Sequence, residues 1–165
     1  MIEVKIDSIR ASMMSDHRVI ILKEIGRERY LPIWIGRYEA EAIALHLQHY
    51  QIARPLTHDL LNNTITEMGG SIDYIVVNDL RNDTFYAQIL VDMNGQRVAI
   101  DSRPSDAIAL AVRADAAIFV DENVMAQAGI VPEEDISEEE SITESDLSAF
   151  RDFINNLNLD DLPLQ

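Results

Sequence analysis

Two short segments of the chain combine the residue types that could bind and hydrolyse a phosphate ester. Residues 54–59 read Arg-Pro-Leu-Thr-His-Asp, and residues 101–106 read Asp-Ser-Arg-Pro-Ser-Asp. Each segment lies at the start of a predicted helix, where a guanidinium and free backbone N–H groups can bind a phosphate together. Carboxylates suit a hard divalent cation, and an imidazole can take a proton from water. These are the ingredients of metal-assisted phosphodiester hydrolysis.

The same segments also have a purely structural interpretation. Asp59, Ser105 and Asp106 could satisfy free N–H groups in the first turns of their helices, with arginines paired to them across the fold. A histidine in a first turn, such as His58, is more often a surface or capping residue than a catalyst. The chain has no cysteine, so thiolate chemistry is excluded. The remaining histidines lack the partner spacing of a metal site; they are His17, His46 and His49.

The elements that must position these segments begin with strands and two helices. Apolar and alternating runs predict three N-terminal strands, at residues 2–7, 18–25 and 29–35. Trp34, flanked by isoleucines, is predicted to lie in the core. A helical stripe from Ala40 to Ile52 has to end before Pro55, which disfavours helical geometry in the residue before it. A second helix is predicted from Thr57, as N-cap, to the glycines at 69–70.

The second half predicts an antiparallel meander followed by a buried helix. Its three strands are expected at residues 72–80, 84–93 and 96–100. Asn94-Gly95 is a strong hairpin signal between the last two. Residues 107–114 are apolar almost all round, which is typical of a buried helix, and residues 117–120 predict a short buried strand. The sequence therefore indicates an α+β fold.

The C-terminal part is acidic and less clearly patterned. A short helix is expected around residues 122–128, followed by an acidic linker at 132–141 and a last amphipathic helix from Thr143. We therefore expect a domain at residues 1–131 and an extension, an acidic linker and helix, at 132–165.

Net charge and hydropathy restrict the class of protein. The net charge is −16, but residues 121–165 hold 13 acidic residues and one basic residue. Residues 1–120 therefore hold 29 − 13 = 16 acidic and 13 − 1 = 12 basic residues, a net charge of −4. The first ten residues alternate and form no secretory signal, and no apolar run reaches membrane-spanning length. We expect a cytoplasmic protein that does not bind membranes.

Three sequence blocks resemble the bifunctional nuclease domain family, formerly a domain of unknown function. They are Leu31-Pro-Ile-Trp-Ile-Gly36 with Glu39-Ala40, the 54–59 segment, and the 101–113 segment, with Phe85 between the last two. The resemblance covers residues 2–121 and leaves out the acidic tail. It implies hydrolysis of DNA and RNA and an α+β fold, with three main helices packed on antiparallel or mixed sheets, that forms a homodimer. The polar positions it carries over are Arg54, Thr57, His58, Asp59, Asp101, Arg103, Ser105, Asp106 and Arg113.

Two functions remain open from the sequence. In the first, a nuclease holds Mg²⁺ or Mn²⁺ on Asp59, Asp101 and Asp106 and uses His58 to activate water. Its substrate would be held by Arg54, Thr57, Arg103, Ser105 and Arg113. In the second, the same cleft belongs to a non-catalytic anion-binding or regulatory module, which the absence of a lysine-rich stripe favours. Neither function calls for a nucleotide or organic cofactor. The first predicts that the 54–59 and 101–106 segments converge on one cleft.

Overall fold

A computed structural model describes residues 1–11 and 17–132 and confirms the α+β fold. The elements are β1 (Ile2–Ala11), β2 (Arg18–Glu24), β3 (Tyr30–Ile35), α1 (Arg37–Leu47), α2 (Thr57–Glu67), β4 (Gly70–Arg81), β5 (Thr84–Met93), β6 (Gln96–Ser102), α3 (Pro104–Ala114), β7 (Ala117–Val120) and α4 (Glu122–Ala128). The predicted linker beyond residue 132 and the last helix lie outside the described residues. The boundary between 131 and 132 therefore stays a prediction.

All seven strands form one mixed sheet in the order β3-β2-β1-β7-β4-β5-β6. Every neighbouring pair is antiparallel except β4 and β7, which are parallel. The chain leaves the β4-β5-β6 meander through α3 and returns to the middle of the sheet as β7. The predicted hairpin is confirmed, with Asn94 at φ 55° and Gly95 at φ 86° between β5 and β6.

One face of the sheet forms the core with the helices. Along β5, Ala87, Ile89 and Val91 are buried in this core, because alternate residues of a strand point to the same face. The predicted buried helix is confirmed as α3, whose residues 107–111 are fully buried. It packs against α1, α2 and strands β4, β5 and β7. The position of α3 therefore determines where α1 and α2 present their polar residues.

Three local predictions were wrong. The first helix ends at Leu47 and not near Ile52, because His49 takes a left-handed conformation, φ 52°, and the Tyr50 N–H bonds back to the carbonyl of Leu45. Thr57 is the first residue of α2, and Leu56 takes the N-cap position. Trp34 is 42% exposed, because Ile33 and Ile35 point into the core and turn it to the other face.

Within the described ranges, no helix combines the length and the hydropathy that a membrane span requires. The cytoplasmic location stays a prediction from the sequence.

We predict that Gly95→Ala destabilises the fold through the β5–β6 turn. Nothing lies within 4 Å of a Cβ added there, so the effect comes from the left-handed backbone at φ 86° alone. The expected loss in free energy of unfolding is about 1–2 kcal/mol, measured by urea denaturation. Asn94→Gly is the matched control and should not destabilise, because glycine accepts the same conformation. An unchanged midpoint in Gly95→Ala would contradict the assigned turn.

Candidate active site

Arg103 and Asp106 form a two-pronged ion pair at the start of α3. Arg103 is the N-cap residue and is kept extended, at φ −71° and ψ 147°, as expected before a proline. Its Nε donates to Oδ2 of Asp106 at 2.6 Å, and its Nη2 donates to Oδ1 at 3.0 Å. Two parallel hydrogen bonds fix the plane of the guanidinium against the carboxylate.

His58, in the first turn of α2, joins this pair from 48 residues away in the sequence. Its Nε2 lies 3.2 Å from Oδ1 of Asp106, and its side chain is only 12% exposed. Partial burial alone would raise the pKa of Asp106. The hydrogen bonds from Arg103 and His58 outweigh burial, so the pKa of Asp106 lies below its ordinary value. An ionised Asp106 makes Nε2 the donor and leaves Nδ1 as the basic nitrogen of the neutral ring.

Glu39, in the first turn of α1, completes the group. Its Oε1 lies 3.1 Å from Nη1 of Arg103. The hydrogen bonds to Asp106, followed by the nearby charge of Asp106, raise the pKa of Arg103 above its ordinary value, and Glu39 adds to this. The four residues come from three helices, α1, α2 and α3. We call Glu39, His58, Arg103 and Asp106 the Arg103 cluster.

A second ion pair joins the same helices a short distance away. Nε of Arg113, near the end of α3, donates to Oδ1 of Asp59 at 2.5 Å. Its other nitrogens donate to the carbonyls of Ala109 and Ala42, at 2.8 and 3.0 Å. The Arg113 side chain is only 3% exposed. Arg113 therefore acts as a brace that ties α3 to α1 and α2.

Comparison with known proteins identifies the domain. The profile of the bifunctional nuclease domain family matches residues 20–133, more than half of the chain. The chain belongs to the bifunctional nuclease domain family. An uncharacterized protein of Mycobacterium tuberculosis (strain ATCC 25618 / H37Rv) is 41% identical over 163 residues, covering 96% of each protein.

Plant members of the family carry the same domain within longer proteins. Bifunctional nuclease 2 of Arabidopsis thaliana is 30% identical over 108 residues, which are 63% of this chain and 33% of that protein. Bifunctional nuclease 1 of Oryza sativa subsp. japonica is 24% identical over 126 residues, 74% of this chain and 38% of that protein. The chain therefore spans little more than a third of these plant relatives.

Within this bifunctional nuclease domain, the predicted site residues fall into separate groups. His58, Arg103 and Asp106 lie together in the Arg103 cluster, whereas Asp59 and Arg113 form the brace. Three other predicted residues lie elsewhere: Arg54 in the exposed loop before α2, Thr57 exposed in the first turn of α2, and Ser105, only 5% exposed, inside α3.

Asp101 lies on the other face of the sheet from the helices. It pairs with Gln88 across β5 and β6, whereas the next residue, Ser102, pairs with Ala87. Ala87 is fully buried in the core under the helices. Because successive residues of a strand point to opposite faces, Asp101 shares the face opposite to Ala87. The sequence neighbourhood of Asp101 and Asp106 therefore does not make them neighbours in the fold.

The predicted metal set of three aspartates is not gathered in one place. Among residues 1–11 and 17–132, no group of three or more histidine or carboxylate side chains is arranged to hold a metal ion. Asp59 accepts from Arg113 and from the N–H of Leu56, at 2.5 and 2.8 Å, so both of its oxygens have donors already. Asp59, Asp101 and Asp106 therefore do not fit a shared cation in this arrangement.

Glu39 is the cluster residue that the sequence did not single out. Its position in a helix first turn has an ordinary explanation in the helix dipole. The sequence feature that could have identified Glu39 is its place, with Ala40, in the first of the three blocks that resemble the family. A contact with Arg103, 64 residues along the chain, leaves no trace in local spacing.

We predict that Arg113→Met lowers the free energy of unfolding by roughly 1–3 kcal/mol at pH 7, because it leaves Asp59 without its cation. Burial raises the pKa of Asp59, but the hydrogen bonds from Leu56 and Arg113 lower it by a larger amount, so the net shift is downward. A carboxyl group whose pKa is lower in the folded than in the unfolded state stabilises the fold at pH values above its unfolded-state pKa. This stabilisation is lost as the pH falls through the folded-state pKa. The difference between the two proteins should therefore shrink below about pH 4.

The measurement is urea denaturation of both proteins from pH 7 to pH 3. Arg97→Met is the matched control, because Arg97 pairs with Asp73 on the surface and its loss should change stability by less than about 1 kcal/mol. Equal losses in Arg113→Met and Arg97→Met would contradict the bracing role of Arg113.

Proposed function

We propose that this chain is a nuclease that hydrolyses phosphodiester bonds of DNA and RNA at the Arg103 cluster. The observation that carries the proposal is the contact of His58 with Asp106, at 3.2 Å, beside the Arg103 guanidinium. A general base oriented by a carboxylate, next to a phosphate-binding cation, is an arrangement suited to phosphoryl chemistry. Membership of the bifunctional nuclease domain family supports the same class of reaction.

Each cluster residue has a distinct proposed role. Arg103 binds a non-bridging oxygen of the phosphodiester through charge-assisted hydrogen bonds. Nδ1 of His58 takes a proton from the attacking water while Asp106 holds the ring through Nε2. The water oxygen forms the new bond to phosphorus, the bond to the leaving oxygen breaks, and the leaving oxygen takes a proton from solvent. His58 then returns its proton to solvent. Asp59 and Arg113 support the reaction only by holding the helices.

A non-catalytic anion-binding or regulatory module is the second candidate. It is favoured by the charge of the cluster, because Arg103 faces two carboxylates, Asp106 and Glu39. Nonspecific nucleic-acid binding depends mainly on neutralising phosphates, and at this site the two carboxylates already offset the positive charge of Arg103. Such a module would bind anions and leave phosphodiesters intact.

We predict that His58→Gln lowers nuclease activity about 100-fold or more, because general-base catalysis contributes about that much. Arg103→Ala should also reduce cleavage, through weaker substrate binding. The measurement uses single- and double-stranded DNA and RNA, with products separated on denaturing gels. His17→Gln is the control, because His17 lies beside Trp34 and outside the cluster. Binding without cleavage by the unmutated protein would favour the regulatory module.

A requirement for Mg²⁺ or Mn²⁺ stays part of the proposal and is tested in the same assay. Reactions run with each cation and with a chelator decide whether cleavage needs a metal ion. Asp101→Asn and Asp106→Asn then separate two arrangements. Equal losses in both variants support the metal set predicted from the sequence, and loss in Asp106→Asn alone restricts the site to the Arg103 cluster.

We further propose that the protein forms a homodimer through the outer surface of α2. This helix of 11 residues has no buried residue; Leu60 and Leu61 are exposed on it, and Met68 is exposed at its C-cap. A second copy of the chain would cover these apolar side chains, whose burial is favourable by about 25 cal/mol per Å².

We predict that Leu60→Glu converts a dimer into a monomer, because a carboxylate would be buried unpaired at the interface. The measurement is light scattering coupled to size-exclusion chromatography. Ile25→Glu is the matched control, since Ile25 is equally apolar and exposed but lies in the turn before β3. A monomeric unmutated protein would refute the homodimer, and an unaffected dimer in Leu60→Glu would place the interface elsewhere.

A further inference from the structure

Glu39 occupies the outer nitrogen of the Arg103 guanidinium. Nη1 of Arg103 lies 3.1 Å from Oε1 of Glu39, whereas Nε and Nη2 donate to Asp106. The Arg103 side chain is 66% exposed, but the Glu39 side chain is only 21% exposed. The carboxylate of Glu39 is therefore seated against the protein, and the guanidinium faces solvent above it.

Gly36 provides the space in which the Glu39 carboxylate lies. A Cβ added at Gly36 would stand 2.1 Å from Oε2 of Glu39 and 3.0 Å from its Cδ. The backbone of Gly36, at φ −66° and ψ 155°, is one that any residue adopts. Glycine at position 36 is therefore not needed for its conformation, and the space it leaves is filled by this one carboxylate.

An anion that binds Arg103 has to compete with these two carboxylates. Asp106 is the harder one to displace, because it makes two hydrogen bonds to Arg103 and a third contact to His58. Glu39 holds Arg103 through a single nitrogen. With a neutral imidazole, one guanidinium and two carboxylates leave the cluster with a net charge of −1. Loss of the Glu39 charge would bring this net charge to zero and free Nη1 for a ligand oxygen.

We propose that Glu39 is an internal competitor that occupies Arg103 in place of the anionic ligand, and that Gly36 provides the space that holds the Glu39 carboxylate there. A phosphate group binds when it displaces the Glu39 carboxylate from Nη1. Glu39 thereby sets the affinity of the site for its anionic ligand. The inference rests on the proposed function for the class of ligand, a phosphate group of a nucleic acid.

The test is a binding titration with fluorescein-labelled single-stranded DNA, followed by fluorescence anisotropy at low ionic strength. We expect Glu39→Gln to lower the dissociation constant about two- to fivefold, the effect of losing one exposed or partly exposed ion pair. Gly36→Ala should tighten it in the same direction, because the added methyl expels the carboxylate. Inorganic phosphate should compete with the DNA more effectively in both variants than in the unmutated protein.

The double variant separates competition from a general structural effect. If Gly36→Ala acts through Glu39, then Gly36→Ala combined with Glu39→Gln should bind within about twofold of Glu39→Gln alone, whereas independent effects would add. Gly36→Ala should scarcely change the thermal midpoint, because the atom it meets is the end of a flexible side chain. Glu41→Gln, with the same charge change at an exposed position of α1, is the control for net charge.

Equal or weaker DNA binding in Glu39→Gln would overturn the proposal and make Glu39 a positioning residue for Arg103. Tightening of the same size in Glu41→Gln would reduce the effect to net charge and would also overturn it. Absence of binding by every protein would do so as well. Tighter binding in Glu39→Gln without cleavage by any protein would sustain the competitor and refute only the nuclease.

Discussion

The burial of α3 is the constraint on which the rest of the site depends. This helix is built largely from alanines at its centre, and small side chains allow α1 and α2 to approach its axis closely. Arg103, at its N-cap, contacts Glu39 of α1, and Asp106, in its first turn, contacts His58 of α2. Two turns after Asp106, Arg113 binds Asp59 of α2 and the carbonyl of Ala42 in α1. Larger side chains in residues 107–111 would push α1 and α2 away and separate these contacts between helices.

Charge pairing is the second organising feature, and it shapes the chemistry of the site. Arg113 is buried and fully engaged, so its guanidinium serves the fold. Arg103 is exposed and equally well paired, so it reaches solvent with its charge already offset. The two arginines therefore differ in exposure, although each is paired with a carboxylate. Only the exposed one can exchange a carboxylate for a ligand without unpacking the helices.

Much of the fold could be predicted because its signals are local. Asn94-Gly95, the apolar run of α3 and the alternation in β1 each determine their own structure within a few residues. The end of α1 could not be predicted, since its apolar stripe continues to Ile52 although the chain reverses at His49. The burial of Trp34 was predicted wrongly, because its large apolar side chain was given more weight than the alternation of strand residues between the two faces of the sheet.

The candidate site was predicted in composition but not in pairing. The sequence singled out His58, Arg103 and Asp106, which the structure brings together. It could not assign Asp59 to Arg113 rather than to a shared metal site, because that choice depends on how α2 crosses α3. The face on which Asp101 lies depends on strand register, which is equally invisible to local spacing.

The shallow seating of α2 has a consequence for the motions of the domain. Without a buried residue, this helix is held chiefly by the half-buried Ile65 and by the links of His58 and Asp59 to α3. Segments with few buried apolar contacts open at a lower free energy than the global unfolding reaction. Amide hydrogens of α2 should then exchange with solvent through local opening, whereas those of α3 should exchange only when the sheet unfolds. Each such opening takes the His58 imidazole away from the Asp106 carboxylate, so the Arg103 cluster exists as one state of a local equilibrium and not as a rigid part of the core.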